Sequence, residues 1–596
     1  MVLEIIDWII IVSFLLVSLF IGLKFKDKAS GSLTDFFLAG RNLPWYIAGI
    51  SMVATTFAAD TPLWVAEVIK KNGVSGNWLW WNMLIGGMLT TFFFAKMWRK
   101  ANVLTELEFI ELRYSGKAAQ YFRKFKALYL GVFFNTIIIG WVNAAMIKIL
   151  IIFLDIDYQT AFIYIAILMV LIAIYSSLSG LLGVAITDAV QFILAMTGCV
   201  ILAFIMLNSE QVGGISGLKE KLPEWRFDFF PNINGAKSDI GTFGLTIGAF
   251  FSFVAIQWWA SWYPGNEPGG GGYISQRMMS TKNEKHAILA TLFFQIAHYA
   301  LRPWPWIIVG LCALVVYPDL PLNESGNGFV FAMRDFMPTG FRGLIFTAFL
   351  GAYMSTISTQ LNWGASYITN DLYKEKDPLI ESTQKKLVLI GRIATVSIMI
   401  IALIITSFID TIDGAARFLI ASSAGLGAVL ILRWYWSRIN VWSEISATIA
   451  PIIGYTISKF ILAPLFEKSS GLGNSFIENE GILLTTTLFT TIVWILVTFL
   501  TKPENDETLK KFYLQVEPQG AWNSIRNKLS IPKTKSQIPS LIICWLSAVS
   551  LTYSTLFLIG KLIFQDYYYA LINLGVFIFS LIILRYFMFH TKIFND

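Results

Sequence analysis

The chain has 596 residues, of which 56% are hydrophobic and only 14% charged, with a formal net charge of +7. A soluble domain carries about 25% charged residues, so this composition excludes a soluble enzyme, a disordered scaffold and a secreted disulfide framework. Cys199, Cys312 and Cys544 all stand inside apolar runs and read as small buried hydrophobes, not as a disulfide or metal set.

A helix that crosses a bilayer needs about 20 apolar residues, because its backbone must satisfy its own hydrogen bonds. Such runs predict an all-α polytopic membrane protein. The expected spans lie at about 4–23, 45–68, 77–97, 125–153, 159–178, 184–207, 243–263, 287–317, 340–368, 388–408, 414–432, 441–465, 480–500, 539–561 and 566–588, about fifteen in all. The first is not a signal peptide: Glu4 and Asp7 stand where a basic region belongs, and Lys24, Lys26 and Lys28 follow the apolar run. The positive-inside rule then sets the N-terminus outside and the C-terminus in the cytoplasm, with roughly 29 Lys and Arg in inside loops against about 9 outside. That asymmetry accounts for the net charge without a nucleic acid partner. The polar stretch 501–538 reads as a cytoplasmic linker, too short for a core of its own.

Three spans break the apolar pattern. The second carries Thr55, Thr56, Asp60, Thr61 and Pro62 near its middle, and the seventh carries Pro264, Gly265, Asn266, Glu267, Pro268 and four glycines. Two interrupted helices five spans apart point to an inverted-repeat secondary transporter, whose unwound backbone frees carbonyls for a cation. The ninth gathers Ser355, Thr356, Ser358 and Thr359 within about one turn. That is more hydroxyl than helix gluing needs, and a hard cation prefers several oxygens at once. Asp188, a few residues into the sixth span, is either an intramembrane functional carboxylate or one wetted at the inner mouth.

Several ordered segments resemble the sodium:solute symporter family, whose members carry sugars, proline or sialic acid on the LeuT-type fold. These are DFFLAGRNLPWYIAGISMVATTFAADTP, TELEFIELRYS, GLLGVAITDAVQ, YISQRMMS and AYMSTISTQLNWGASYITNDLY. The resemblance is clearest over about 33–465. It implies a five-plus-five inverted repeat with peripheral helices. The corresponding division is 1–44 (first helix and loop), 45–242 and 243–440 (the repeats), 441–500 (peripheral helices), 501–538 (linker) and 539–596 (a last helix pair and tail). It also implies a main sodium site at the carbonyls of Ala54, Phe57 and Ala352 and the hydroxyls of Ser355 and Thr356. A second sodium, found in some members, would fall on Asp188, Ser355, Ser358 and Thr359.

The solute region departs from the family's sugar carriers, which have a Glu–Gln pair where this chain has Asp60 and Thr61. Polar candidates for the central cavity are Thr56, Asp60, Thr61, Trp80, Asn82, Asn143, Trp262, Glu267 and Ser422. For Trp80 and Trp262 packing is an equal reading, and for Asn82, Asn143 and Ser422 so is interhelical glue. Arg302 either pairs with a cavity carboxylate or snorkels. The expected function is sodium-coupled import of a small polar solute, leaning to a sugar, by a multi-pass protein of the plasma (inner) membrane. Its partners are that solute, one or two Na+ ions and membrane lipid; nothing fixes the oligomeric state. The alternatives are an amino acid or carboxylate cargo, proton coupling through Asp60 or Asp188, a transporter-like sensor, or a membrane enzyme. No metalloprotease, nucleophile-elbow or Walker A pattern supports the last.

Overall fold

In hydrocarbon every backbone N–H and C=O must be paired within the protein, and helices do this locally. The computed structural model describes residues 3–231, 245–373, 384–409, 418–467, 472–532 and 536–590; residues 243–244 and 414–417 of the expected seventh and eleventh spans lie outside them. Helices dominate the described residues, and ten are long and apolar enough to cross a membrane. The expectation of about fifteen differs because it also counted interrupted helices. The run Tyr158–Leu207 has 50 residues, which would extend about 75 Å if straight, more than twice a bilayer core. It turns instead at Gly180, at φ 56° and ψ −161°. The second, third, seventh and eleventh spans are helical only in pieces, such as Trp45–Thr55 and Asp60–Asn72.

The helices are inside-out relative to those of a soluble protein. Along Ile5–Lys24 the buried positions are Asp7, Ile11, Phe14, Ser18 and Gly22, spaced at the helical period, while Ile5, Ile9, Leu16 and Phe20 are exposed. Small residues let backbones approach where lipid gives no hydrophobic drive to associate: a Cβ on Gly22 would come within 2.9 Å of the Tyr175 Cβ. The odd acid of the first helix also has a use. The Asp7 carboxylate accepts from the backbone N–H groups of Gly340 and Gly343 at 2.8 and 2.7 Å. It thereby caps the ninth span, helix Phe341–Tyr367, from outside that helix.

The described part of the stretch 501–538 is docked. Phe512, in its helix Asp506–Val516, and Trp522, which precedes its helix Asn523–Lys528, are both buried. The Trp522 indole N–H donates to the Trp434 carbonyl at 2.9 Å, and the Arg113 guanidinium lies 5.0 Å above its ring. Arg113 also donates to the carbonyls of Arg433, Trp436 and Ile439 at 2.7, 3.1 and 3.0 Å. One buried cation thus ties the end of the eleventh span to the strap.

The turn at Gly180 yields the first prediction. A Cβ there would sit 2.6 Å from the Phe36 carbonyl oxygen, at a positive φ. Gly180→Ala is expected to cost about 1–3 kcal/mol through backbone strain and contact, read as a lower unfolding midpoint in detergent; an unchanged midpoint would contradict this account of the turn.

Candidate transport site

The second span stops being helical at Thr55 and resumes at Asp60. The sequence forces this: Pro62 falls in the first turn of the second segment, where its missing N–H costs nothing, and Asp60 opens that turn, where the helix dipole favours a carboxylate. The seventh span ends its first part at Ala260 and resumes at Gly272. Between them Gly265, Gly269 and Gly270 take positive φ, as does Gly272, which a chain of ordinary residues would resist.

The ninth span crosses the first break. Thr356 Oγ1 donates to the Thr55 carbonyl at 2.9 Å and to its own helix at Ala352, 3.2 Å away. Thr55 and Thr359 hydroxyls meet at 3.0 Å, and the Phe57 N–H bonds the Ala54 carbonyl at 3.0 Å. Ala54, Phe57, Ala352, Ser355 and Thr356 are all buried. The structure therefore brings the broken backbone and the hydroxyl-bearing helix together.

Around Asp188 the arrangement includes a cation of the protein's own. Ser355 Oγ donates to Asp188 Oδ1 at 2.6 Å, and Ser51 Oγ to Oδ2 at 2.5 Å. The Arg277 guanidinium stands 3.8 Å from Asp188, donates to Ser51 at 3.2 Å and to Thr359 at 2.6 Å. Ser358 turns back onto the Ser355 carbonyl, 3.1 Å away. Asp188 and Arg277 are both wholly buried, so Asp188 is not at a wetted mouth. Of the four residues expected to hold a second sodium, Asp188 and Ser358 both contact Ser355, and Thr359 is bonded to Arg277. Sequence reading passed over Arg277, because the stretch GYISQRMMS that carries it is not apolar and falls outside the expected spans.

A cavity of about 80 Å³ lies between the two breaks. Thr56, Asp60, Thr61 and Trp80 line it, together with Tyr263, Asn266, His298, Tyr299, Arg302, Thr356 and Gln360. Trp80 and Tyr299 stack, with centroids 5.8 Å apart and planes 28° apart. Arg302 does not snorkel: it is buried, and donates to the Val53 carbonyl and Thr56 Oγ1, both at 3.1 Å. Its Nη2 meets His298 Nε2 at 3.1 Å, and His298 Nδ1 meets Thr56 Oγ1 at 2.9 Å. His298 and Arg302 lie four apart, on one helix face, the pattern that could have marked them.

Five expected cavity residues lie elsewhere. Asn82 bonds back to the carbonyls of Trp78 and Leu79, at 2.8 and 3.0 Å. Asn143 is interhelical glue: it donates to Thr406 at 2.8 Å and accepts from Tyr353 at 2.8 Å. Ser422 turns toward the Leu419 carbonyl at 3.5 Å. Trp262 and Glu267 line a separate, smaller cavity. For Trp262 and Glu267 the sequence could not separate the two walls, because the unwound stretch between Ala260 and Gly272 has no helical period.

A chain of interrupted membrane helices around such a cavity has the architecture of a secondary transporter. The sodium:solute symporter family profile matches residues 36–454, and the chain belongs to that family. It is 24% identical over 477 residues to sodium/glucose cotransporter 1 of Oryctolagus cuniculus, covering 73% of this chain and 69% of the relative. It is 24% identical over 506 residues to the sodium/glucose cotransporter of Vibrio parahaemolyticus, covering 81% and 88%. Sodium/myo-inositol cotransporter 2 of Homo sapiens is 22% identical, over 77% of this chain and 71% of the relative. The fold is shared with a Na+-coupled sialic acid symporter solved in a substrate-bound outward-open state, at TM-score 0.65 and 20% identity, over 84% of this chain and 99% of that one. The fold is thus LeuT-type, and the chain is a multi-pass, sodium-coupled solute transporter.

The Asp188–Arg277 pair gives a stability prediction. Removing one partner of a buried pair leaves the other uncompensated, at a cost of about 3–5 kcal/mol. Asp188→Ala should therefore lower the unfolding midpoint more than Ser358→Ala, in sodium and in choline alike; equal midpoints would show that the pair does not carry this load.

Proposed function

We propose that the protein imports a small polyhydroxy solute, a sugar or a related ring compound, with sodium across the plasma membrane, its N-terminus outside and its C-terminus in the cytoplasm. The observation that carries this reading is that Thr55 and Thr356 belong both to the hydroxyl–carbonyl cluster and to the cavity wall. Ion and solute then share residues, and whatever fixes one biases the other. The names of the relatives, glucose and myo-inositol carriers, support a polyhydroxy cargo, as does the stacked Trp80–Tyr299 face against which a sugar ring can pack.

In this reading sodium takes the oxygens of Ala54, Phe57, Ala352, Ser355 and Thr356. The Thr356 hydroxyl exchanges its bond to the Thr55 carbonyl for the ion, and Ser355 turns from Asp188. That holds the ninth span against the first break and shapes the wall at Thr56 and Asp60, where the solute binds. Release toward the cytoplasm reverses both. Each sodium crossing 100 mV contributes about 2.3 kcal/mol, which supports roughly fortyfold accumulation at 1.4 kcal/mol per decade, before any concentration gradient of the ion.

A second reading, a carboxylate-bearing solute, is favoured by Arg302, whose Nε has no hydrogen-bond partner among the described residues. A thermal-shift series separates them. Neutral sugars and polyols are expected to raise the unfolding midpoint in sodium and not in choline. If only carboxylated compounds do so, the second reading holds; if no compound needs sodium, the coupling reading fails.

Mutation tests the ion site. Ser355→Ala with Thr356→Ala should remove sodium-stimulated uptake in proteoliposomes while the protein still elutes as a folded species; sodium dependence like that of the wild type would remove these hydroxyls from the site.

A further inference from the structure

The seventh-span break touches a second cavity, and its chemistry differs from the first. Trp262, Glu267, Gly270 and Gly271 form one side; Glu106, Lys126, Tyr129 and Arg433 are among the residues on the others. Glu267 is 3% exposed and Glu106 8%. Glu267 Oε1 accepts from the Gly265 N–H at 3.3 Å. Its other carboxylate oxygen, Oε2, is buried without a hydrogen-bond partner among the described residues. Glu106 accepts from the Gly272 N–H, at the start of helix Gly272–Ser280, where the dipole favours an anion. Both carboxylates crowd the same glycines. A Cβ on Gly271 would stand 2.7 Å from Glu106 Oε2 and 3.1 Å from the Glu267 Cβ, and one on Gly272 would stand 2.4 Å from Glu267 Oε1. The glycine run is therefore what lets two acids share this space.

The two basic side chains at the cavity do not neutralise them. Lys126 and Arg433 both bind Glu444 Oε1, at 2.7 and 3.0 Å, and Tyr114 donates to the other oxygen at 2.8 Å. That trio carries one net positive charge against two carboxylates, so among the described residues lining this cavity one negative charge is left over. Tyr129 lines the cavity, and Tyr273 and Tyr367 stand near the two acids; as phenols they add hydrogen-bonding groups and no positive charge. A buried carboxylate in this position requires either a proton or a cation. The donors are oxygens, which suits a hard ion and not a soft metal.

We propose that Glu267 and Glu106 hold a single monovalent cation, sodium or a proton, at the seventh-span break, separately from the cluster at Thr356. The site is joined to the transport cavity by one hydrogen bond, since Gly265, whose N–H bonds Glu267, lines that cavity. Loading the site therefore alters the wall that a solute meets. The proposal does not depend on which solute is carried.

The test uses the purified full-length protein in detergent, with sodium chloride exchanged for choline chloride at constant ionic strength and the unfolding midpoint as readout. One arm titrates sodium at a mildly alkaline pH; the other lowers pH without sodium. Thr356→Ala, which weakens the main cluster, is expected to keep one of the two responses. Glu267→Gln and Glu106→Gln, each checked for monodispersity, are expected to weaken apparent sodium affinity at least tenfold in the first arm, identifying sodium, or to lose the acid-induced shift in the second, identifying a proton. Wild-type responses from both Gln variants in both arms would overturn the proposal. Because it reads no solute flux, its failure is distinct from failure of the transport reading.

Discussion

Unwound backbone inside a bilayer survives only where protein groups surround it, and this constraint organises the molecule. Two spans are broken, their loosened stretches face one cavity, and that of the second span meets the hydroxyl side of the ninth. The groups that crowd around them are the ones a membrane helix otherwise avoids: Asp60, Asp188, Glu267, Arg277 and Arg302. All but Asp60 are less than a tenth exposed. Each is costly alone. The two arginines are held by neighbours that are themselves fixed, Arg277 by Ser51 and Thr359 and Arg302 by Val53 and Thr56.

The same economy appears at the helix ends. In TELEFIELRY, Thr105 donates to Asp371 at 2.8 Å, Arg113 caps the carbonyls at the end of the eleventh span, and Tyr114 donates to Glu444. One short segment thus fastens the ends of three spans. Arg113 also lies against Trp522, so the polar strap near the C-terminus is part of this fastening. Sequence reading expected a linker there because 37 or so mixed polar residues cannot build a core; they do not have to, since the aromatic residues of the strap finish a core that the spans began.

Much of the fold was legible because bilayer rules are strict: long apolar runs must be helices, and Gly/Pro interruptions stand out against them. The hydroxyl cluster was legible for the same reason. What sequence could not supply was the partner of each polar group. Nothing in the spacing of Asp188 reveals that Arg277, 89 positions on by the numbering, returns to meet it. Nor does YPGNEPGGGGY say which of its residues face which cavity, since Asn266 and Glu267 are neighbours in sequence and line different walls. The hydrogen bond of Asn143 to Thr406 reads in sequence as no more than one amide in an apolar run.

The central claim is that sodium is bound where the ninth span meets the break of the second. Equilibrium binding of radioactive sodium to the purified protein, without solute, tests it most directly. The account predicts saturable binding by the wild type and a clear loss of binding sites in Thr356→Ala. Saturable binding of unchanged stoichiometry and affinity in that variant would contradict it.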